Sequence, residues 1–203
     1  DVVFPVLHGK NGEDGTMQGL LQLSGIPFVG CHTLSSAVCM DKAVTHSLLE
    51  AARIEQAHYL WFYADLYRTR ADVIKNKIAA RLDFPVFVKP ANAGSSVGIS
   101  KVTSIDELDA AVEKAAKEDG KIVVEEGIVG AEVECAVMGN EEPIASTVGE
   151  IGASAEFYDY DDKYKNGTSQ LYIPARLPEA KIEEIRAIAK RAYHMLGCRG
   201  LAR

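Results

Sequence analysis

Val86-Phe87-Val88-Lys89-Pro90-Ala91-Asn92-Ala93-Gly94-Ser95-Ser96-Val97-Gly98-Ile99 is the segment around which the rest of the chain organises. Phe84 to Val88 is an apolar run of strand length, and Lys89-Pro90 ends it. A Gly/Ser loop follows, and a second short strand is predicted through Ile99–Val102. A strand that ends in lysine and runs into a glycine-flanked Ser95-Ser96 pair can cradle phosphate. Glycine lets backbone approach closely, and successive amides and hydroxyls donate to phosphate oxygens. Lys89 adds positive charge at the strand end. No GxxxxGK[ST] is present, so this is not a Walker loop. A plain hairpin turn with a surface lysine accounts for the same residues equally well.

Downstream, Ser104-Ile105-Asp106-Glu107 reads as a capping box for a helix through Leu108, Ala111, Val112 and Ala115 to Gly120. Strands are expected at Ile122–Glu126, Val133–Met138 and Ala145–Ile151, in an antiparallel arrangement. Residues 152–170 are polar and aperiodic, and long loops of this kind are usually functional. Leu177-Pro178 opens a last helix with Ile182, Ile185, Ala189, Ala192 and Leu196 inward. Upstream, a helix is expected at Arg70–Arg81, with Val73, Ile74 and Ile78 on one face, and a strand at Tyr59–Tyr63. Asp41–Ala52 reads as a helix with Leu48 and Leu49 inward. At the start, Val2–Leu7 reads as a buried strand, Thr16–Ser24 as a helix and Ile26–Gly30 as a strand. Strand, loop, helix and strand in that order signal an α/β fold.

The 203 residues suffice for one large domain or two small ones. Lys and Arg number 22 against 29 Asp and Glu, a net charge of −7 that disfavours nonspecific nucleic-acid binding. No apolar stretch approaches a membrane span, so no membrane partner is expected. Both ends read as cut through core elements, so the chain is expected to be an interior piece of a longer protein. Cys31, Cys39, Cys135 and Cys198 are scattered without a CxxC pair, which predicts buried thiols in a reducing cytoplasm.

Three further segments carry candidate chemistry. Val123 to Glu132 is a strand ending in Glu125 and Glu126, a glycine-spaced turn, then Glu132, a pattern able to hold adenosine. Taken by itself, a surface-charged strand end is the better reading of it. His8, Glu13 and Asp14 follow the first strand, where α/β sheets place ligands; a solvated turn is the alternative. Glu156 to Lys165 alternates aromatics with charges, as a closing lid does.

Taken in order, His8-Gly9 to Gly12-Glu13-Asp14-Gly15, Met40-Asp41-Lys42, Val88-Lys89-Pro90 with Gly94-Ser95-Ser96-Val97-Gly98, Glu125 to Glu132, Tyr158-Asp159-Tyr160 with Lys163-Tyr164, and Gly197 to Arg203 resemble the D-alanine–D-alanine ligases. The resemblance spans nearly the whole chain and weakens only across residues 55–82. It implies an α/β (α+β) ATP-grasp fold, with residues 1–30 ending an N-terminal Rossmann-like domain. Residues 31–125 would form the small ATP-grasp subdomain, and 126–203, with lid loop 152–170, the first part of the large one.

It also implies ATP and Mg2+ (or Mn2+) as cofactors, D-alanine as substrate, a cytoplasmic location and a homodimer in the full-length protein. Residue by residue, Lys42 and Lys89 match the two lysines that embrace ATP phosphates. Glu125, Glu126, Ile128 and Glu132 match the adenine and ribose contacts. Ser96 belongs to the glycine-rich flap, and Ser95 matches a serine networked with the lid tyrosine, here Tyr164, to position the second amino acid. Lys163 matches the lid lysine near the transferred phosphate. His8 matches a histidine near the first D-amino acid, and Arg203 an arginine that stabilises acyl-phosphate and tetrahedral states.

The family's substrate-gripping glutamate would lie upstream of Asp1, and its metal ligands just beyond Arg203. The 203-residue chain alone is therefore expected to make no dipeptide. Tyr164 argues against D-lactate as second substrate, while D-serine, the choice of ligases of the vancomycin-resistance type, stays open. A non-catalytic ATP-binding protein is the alternative of a different class.

Overall fold

The computed structural model describes residues 1–152 and 170–203. Along the chain come α1 (Thr16–Leu23), α2 (Thr33–Met40), α3 (Lys42–Ala51), β1 (Tyr59–Tyr63), α4 (Ala64–Arg81), β2 (Val86–Pro90) and β3 (Ser100–Val102). They are followed by α5 (Leu108–Ala116), β4 (Lys121–Glu126), β5 (Glu132–Glu134), β6 (Val137–Gly139), β7 (Ile144–Ala145) and β8 (Gly149–Gly152). After the undescribed stretch come β9 (Gln170–Tyr172), α6 (Glu179–Met195) and β10 (Gly200–Ala202).

The segment at 84–102 supplies β2 and β3 of the main layer, a four-stranded antiparallel sheet in the order β1-β4-β2-β3. Because strand side chains alternate, each strand has two different faces. Val86, Val88, Val102, Ile122, Val124 and Phe62 form one face and pack on Ile74 and Ile78 of α4 and on Leu108 and Val112 of α5. Phe87 pairs directly with Glu125, so these two share the other face, and Lys89 pairs with Val123 on that same face. Part of it is covered by α3, whose Ala43 packs with Ala91 and Val123.

Helix α3 starts where it does because Asp41 caps it: the carboxylate accepts from the Ala43 and Val44 amides. The same carboxylate takes the Lys121 ammonium at 2.5 Å and the Asn92 amide at 3.4 Å, and Asn92 is held in turn by Asp119. The helix N-terminus is thereby tied to the end of β2 and the start of β4.

Two smaller three-stranded antiparallel sheets, β5-β8-β9 and β10-β6-β7, complete the described fold. Helix α6 packs its Ile182, Ile185 and Ala189 face over them, beside Val148 and Val137. Among the described residues, no helix is long and apolar enough to cross a membrane.

Several expectations are corrected. Val2–Leu7 and Ile26–Gly30 are not strands: one parallel bridge, Val3 to Phe28, joins them, and Val2, Phe4 and Val6 are exposed. Most of their apolar side chains stay exposed, so no buried face fixes the register of a ladder. Val133–Met138 breaks at Cys135-Ala136, where the chain passes from one small sheet to the other, and Ala145–Ile151 breaks opposite it. Ser146 bridges the crossing, donating its amide to the Ala136 carbonyl and accepting the Ala136 amide on Oγ.

Glu107 reaches back as expected, but to Thr103, whose amide and hydroxyl both donate to it; the Ser104 hydroxyl makes no cap bond, and a 3₁₀ turn precedes the helix. Val73 is exposed while Ile74 and Ile78 are buried. Helix α2 carries no apolar signal in the sequence, because its buried positions are Ser35 and Ser36.

Leu108 is fully buried at the centre of the larger core. Leu108→Ala is expected to cost about 3 kcal/mol of unfolding free energy, read as a lowered denaturation midpoint in urea with an unchanged slope.

Candidate active site

The solvent-facing side of β2 and β4 forms the floor of a cleft. Lys89 Nζ lies 2.5 Å from Glu125 Oε2. On the other side of that carboxylate, His46 Nε2 lies 3.1 Å from Oε1, and His46 Nδ1 lies 2.6 Å from Gln56 Oε1. The Gln56 Nε2 donates to the His46 carbonyl at 2.8 Å, which fixes the orientation of the amide. Both imidazole nitrogens therefore face acceptors, an arrangement that favours the imidazolium of His46. Its ring stacks on Tyr59 with centroids 4.2 Å apart.

Burial works against the charge on His46, but the bonds to Glu125 and Gln56 raise its pKa above the ordinary value. Burial would likewise push the Glu125 carboxyl up, yet the His46 hydrogen bond and the Lys89 ammonium bring it down to about 2.

Above this floor is a cavity of about 620 Å³, lined by Lys89, Glu125, Glu126, Ile128, Glu132 and Ile151 among others. Its rim is the turn after β4. Gly127 donates to the Pro85 carbonyl at 2.8 Å. A Cβ at Gly127 would sit 2.8 Å from that same oxygen, so the close approach requires glycine. A second cavity, of about 610 Å³, shares Glu132 and Ile151 with the first and is lined by His8, Glu13, Ser95, Cys135 and Arg203.

Ser95 and Ser96 adopt left-handed backbone with φ of 52° and 60°, and the Val97 amide closes the turn on the Gly94 carbonyl at 3.1 Å. Two adjacent non-glycine residues in this region store strain of the kind that collects at ligand clamps. The flap rests on the turn at residues 8–13: a Cβ on Gly94 would be 3.0 Å from Gly9 Cα. Glu13 holds that turn by accepting from the Gly9 amide at 2.5 Å, while Asp14 accepts from the Asn11 and Thr16 amides. Arg203 reaches Glu134 at 3.0 Å.

Lys89, Glu125, Glu126, Ile128 and Glu132 are thus brought to one cavity, and His8, Ser95 and Arg203 to its neighbour. Lys42 and Ser96 line neither. The Lys42 ammonium donates to the Ala93 and Ala91 carbonyls at the base of the flap, at 2.7 and 3.3 Å. Burial and then the nearby Lys89 charge lower its pKa, so the two lysines bear on the same space. Lys163 and Tyr164, with the expected lid, lie outside the described residues.

Three contributors carried no signature in the sequence: His46, Gln56 and Arg176. Arg176 grips Glu150 in the cleft wall at 2.6 Å and stacks 3.7 Å over Tyr172, outside any recognisable motif. Another hollow, of about 1050 Å³ and walled by Glu50, Arg53, His58 and Arg81, holds none of the expected residues. Among the described residues, no group of three His, Cys, Asp or Glu side chains is placed to hold a metal ion.

The family described as D-ala D-ala ligase C-terminus matches residues 48–203, and that described as D-ala D-ala ligase N-terminus matches residues 1–31. The chain belongs to the D-alanine–D-alanine ligase family. It is 54% identical over 203 residues to a D-alanine–D-alanine ligase of Acetivibrio thermocellus, aligning over 100% of this chain and 54% of that protein. It is 52% identical to a ligase of the same name from Caldicellulosiruptor bescii, over 100% of this chain and 56% of the relative.

Among solved structures it resembles the VanG D-Ala:D-Ser ligase from Enterococcus faecalis, with a TM-score of 0.87 and 48% identity over 99% of this chain and 57% of that one. It also resembles the D-alanine–D-alanine ligase from Coxiella burnetii, with a TM-score of 0.84 and 35% identity over 100% of this chain and 53% of the other. The fold is accordingly the ATP-grasp of this family, and the chain spans about half the length of the curated relatives it matches.

The Lys89–Glu125–His46 contacts have a pH signature. Glu125, with its folded pKa depressed to about 2, contributes stability that is present above its ordinary 4.5 and lost as pH falls toward 2. His46, with its pKa raised, contributes stability that is complete below its ordinary 6.5 and lost as pH rises through the folded value. His46→Gln is expected to remove the alkaline part of the Tm-against-pH profile and to shrink the acid limb without abolishing it, because Lys89 still holds Glu125. An unchanged alkaline limb would count against this coupling.

Proposed function

We propose that this chain carries the nucleotide- and acyl-handling core of an ATP-dependent ligase that joins two D-alanines through an acyl phosphate, for peptidoglycan precursor synthesis. The observation that carries the reading is the adjoining of two cavities across Glu132 and Ile151. One has a lysine–glutamate floor, and the other gathers His8, Ser95 and Arg203. In this reading residues 1–30 close the substrate side, 31–125 make the small ATP-grasp subdomain and 126–203 begin the large one.

A carboxylate is a poor electrophile, and phosphorylation gives it a leaving group. Lys89 and Lys42 offset charge on the triphosphate, and Lys89 exchanges its Glu125 partner for phosphate oxygens. Glu125, Glu126, Ile128 and Glu132 take the adenosine. The Ser95–Ser96 flap, with its amides turned by left-handed backbone, covers the phosphates. His8 lies by the first amino acid, and Ser95 with Tyr164 orients the second, whose amine must attack in a held geometry. Arg203 stabilises the charge on the acyl phosphate and the tetrahedral state. Lys163 and Tyr164 would close the site against water, which otherwise hydrolyses the acyl phosphate.

The lysines and the turned flap amides fit a nucleotide triphosphate. Mg2+ (or Mn2+) accompanying it would supply further counter-charge beside Lys42 and Lys89. D-serine as second substrate is the alternative favoured by the likeness to the D-Ala:D-Ser ligase.

Calorimetric titration of the chain with ATP tests this. Lys89→Met is expected to weaken binding at least ~10-fold through loss of a charge-assisted phosphate contact. Arg53→Gln, in the larger hollow, is expected to leave it unchanged. The reverse pattern would place the nucleotide elsewhere.

A further inference from the structure

The four cysteines look scattered in sequence, yet three of them meet in the fold. Cys39, near the end of α2, and Cys198, two residues before β10, have their sulfurs 3.6 Å apart. Cys31 shares a hydrogen bond with the Cys198 thiol, and its own thiol approaches the Leu201 carbonyl at 3.9 Å. The cluster lies on a seam: a Cβ on Gly200 would stand 2.9 Å from the Gly30 backbone, so the residue 30 region and β10 are in close contact there. Cys39 is exposed and Cys198 is buried. One sulfur is therefore open to a reagent, and its neighbour is sheltered and in reach.

We propose that Cys39 and Cys198 form a reversible disulfide under peroxide, a redox clamp that bolts α2 to the strand leading to Arg203. The neighbouring thiols assist. The Cys198 hydrogen bond lowers the Cys39 pKa and favours its thiolate, while Cys198, hydrogen-bonded to Cys31 and Cys39, is held protonated.

The Cys39 thiolate attacks one peroxide oxygen, the O–O bond breaks, and hydroxide leaves, giving a sulfenic acid on Cys39. The Cys198 sulfur then attacks the Cys39 sulfur. The S–O bond breaks, and the departing hydroxide takes the Cys198 proton as water. The two thiols are oxidised by two electrons, and one peroxide is reduced to two waters.

The consequence follows from position. Cys39 stands two residues before the Asp41 that caps α3 and three before Lys42, and Cys198 stands five before Arg203. A bond between them locks the helix approach to one side of the cleft against the strand ending at the other. Thiol reductants reverse it, so the clamp engages only under oxidant.

The purified chain, reduced and then exposed to hydrogen peroxide, is the test. Titratable thiols should fall from four to two, the intact mass should drop by about 2 Da, and dithiothreitol should restore both. The oxidised form should melt several degrees higher, because the bond closes a long loop in the unfolded chain. Cys31→Ser should still form the crosslink, with a peptide carrying Cys39 joined to one carrying Cys198. Cys39→Ser should lose it.

A Cys39→Ser chain that crosslinks like the parent would overturn the proposal in favour of Cys31. Full oxidation of Cys39 to sulfinic acid with Cys198 still alkylatable would overturn it outright. None of these readouts uses nucleotide, so they stand or fall apart from the ligase reading.

Discussion

A single ion pair, Lys89 with Glu125, sets the terms for everything around it. It exists because β2 and β4 run antiparallel in a register that puts Phe87 opposite Glu125 and Lys89 one pair further on, on the same face. Slipping the register by one residue would send both charges into the valine face packed on α4 and α5. Burying the opposite face therefore does two things at once: it supplies the hydrophobic drive for the layer, and it fixes the charges at the cleft. Neither charge is cheap to keep out of water. The second contact of Glu125, with the His46 imidazolium, leaves the carboxylate bonded on both oxygens. A phosphate arriving at Lys89 would then find a site where Glu125 keeps a cation after giving one up.

The flap solves a related difficulty. Phosphate needs several donors converging from backbone, and left-handed φ at Ser95 and Ser96 folds successive amides into a tight turn whose Ser95 lines the second cavity. Gly94 lets that flap lie directly on Gly9, and Glu13 locks the turn beneath by accepting from the Gly9 amide. Thus the residue 8–13 turn, the flap and Arg203 share one cavity though they are far apart in sequence. Strain in the flap is tolerable because the capped N-terminus of α3 and the Asp41–Lys121 pair hold its base.

What could be read in the sequence follows from what is local. The strand around Val86–Val88, its lysine and the glycine-flanked serines were legible because their signals lie within fifteen residues. The same holds for α3, whose cap is one residue away, and for the glycine turn after β4. The elements that escaped depend on distant partners. Helix α2 buries serines, so no apolar period announces it. The break at Cys135-Ala136 is a change of sheet, which a continuous apolar run does not record. Val2–Leu7 has strand composition but only one bridge. His46 looks like an ordinary helix residue until Glu125, 79 positions later, comes beside it. The cysteines looked unrelated for the same reason. Residues 55–82, where the family resemblance was weakest, nonetheless supply β1, α4 and much of the larger core.

The most direct test of the central claim is a crystal structure of this chain with a non-hydrolysable ATP analogue. The adenosine is expected between the four-stranded layer and β5–β8, with phosphate oxygens on Lys89 and its bond to Glu125 released while His46 remains in place. A nucleotide seated in the hollow walled by Glu50 and Arg81, or one in the cleft with Lys89 still fastened to Glu125, would contradict it.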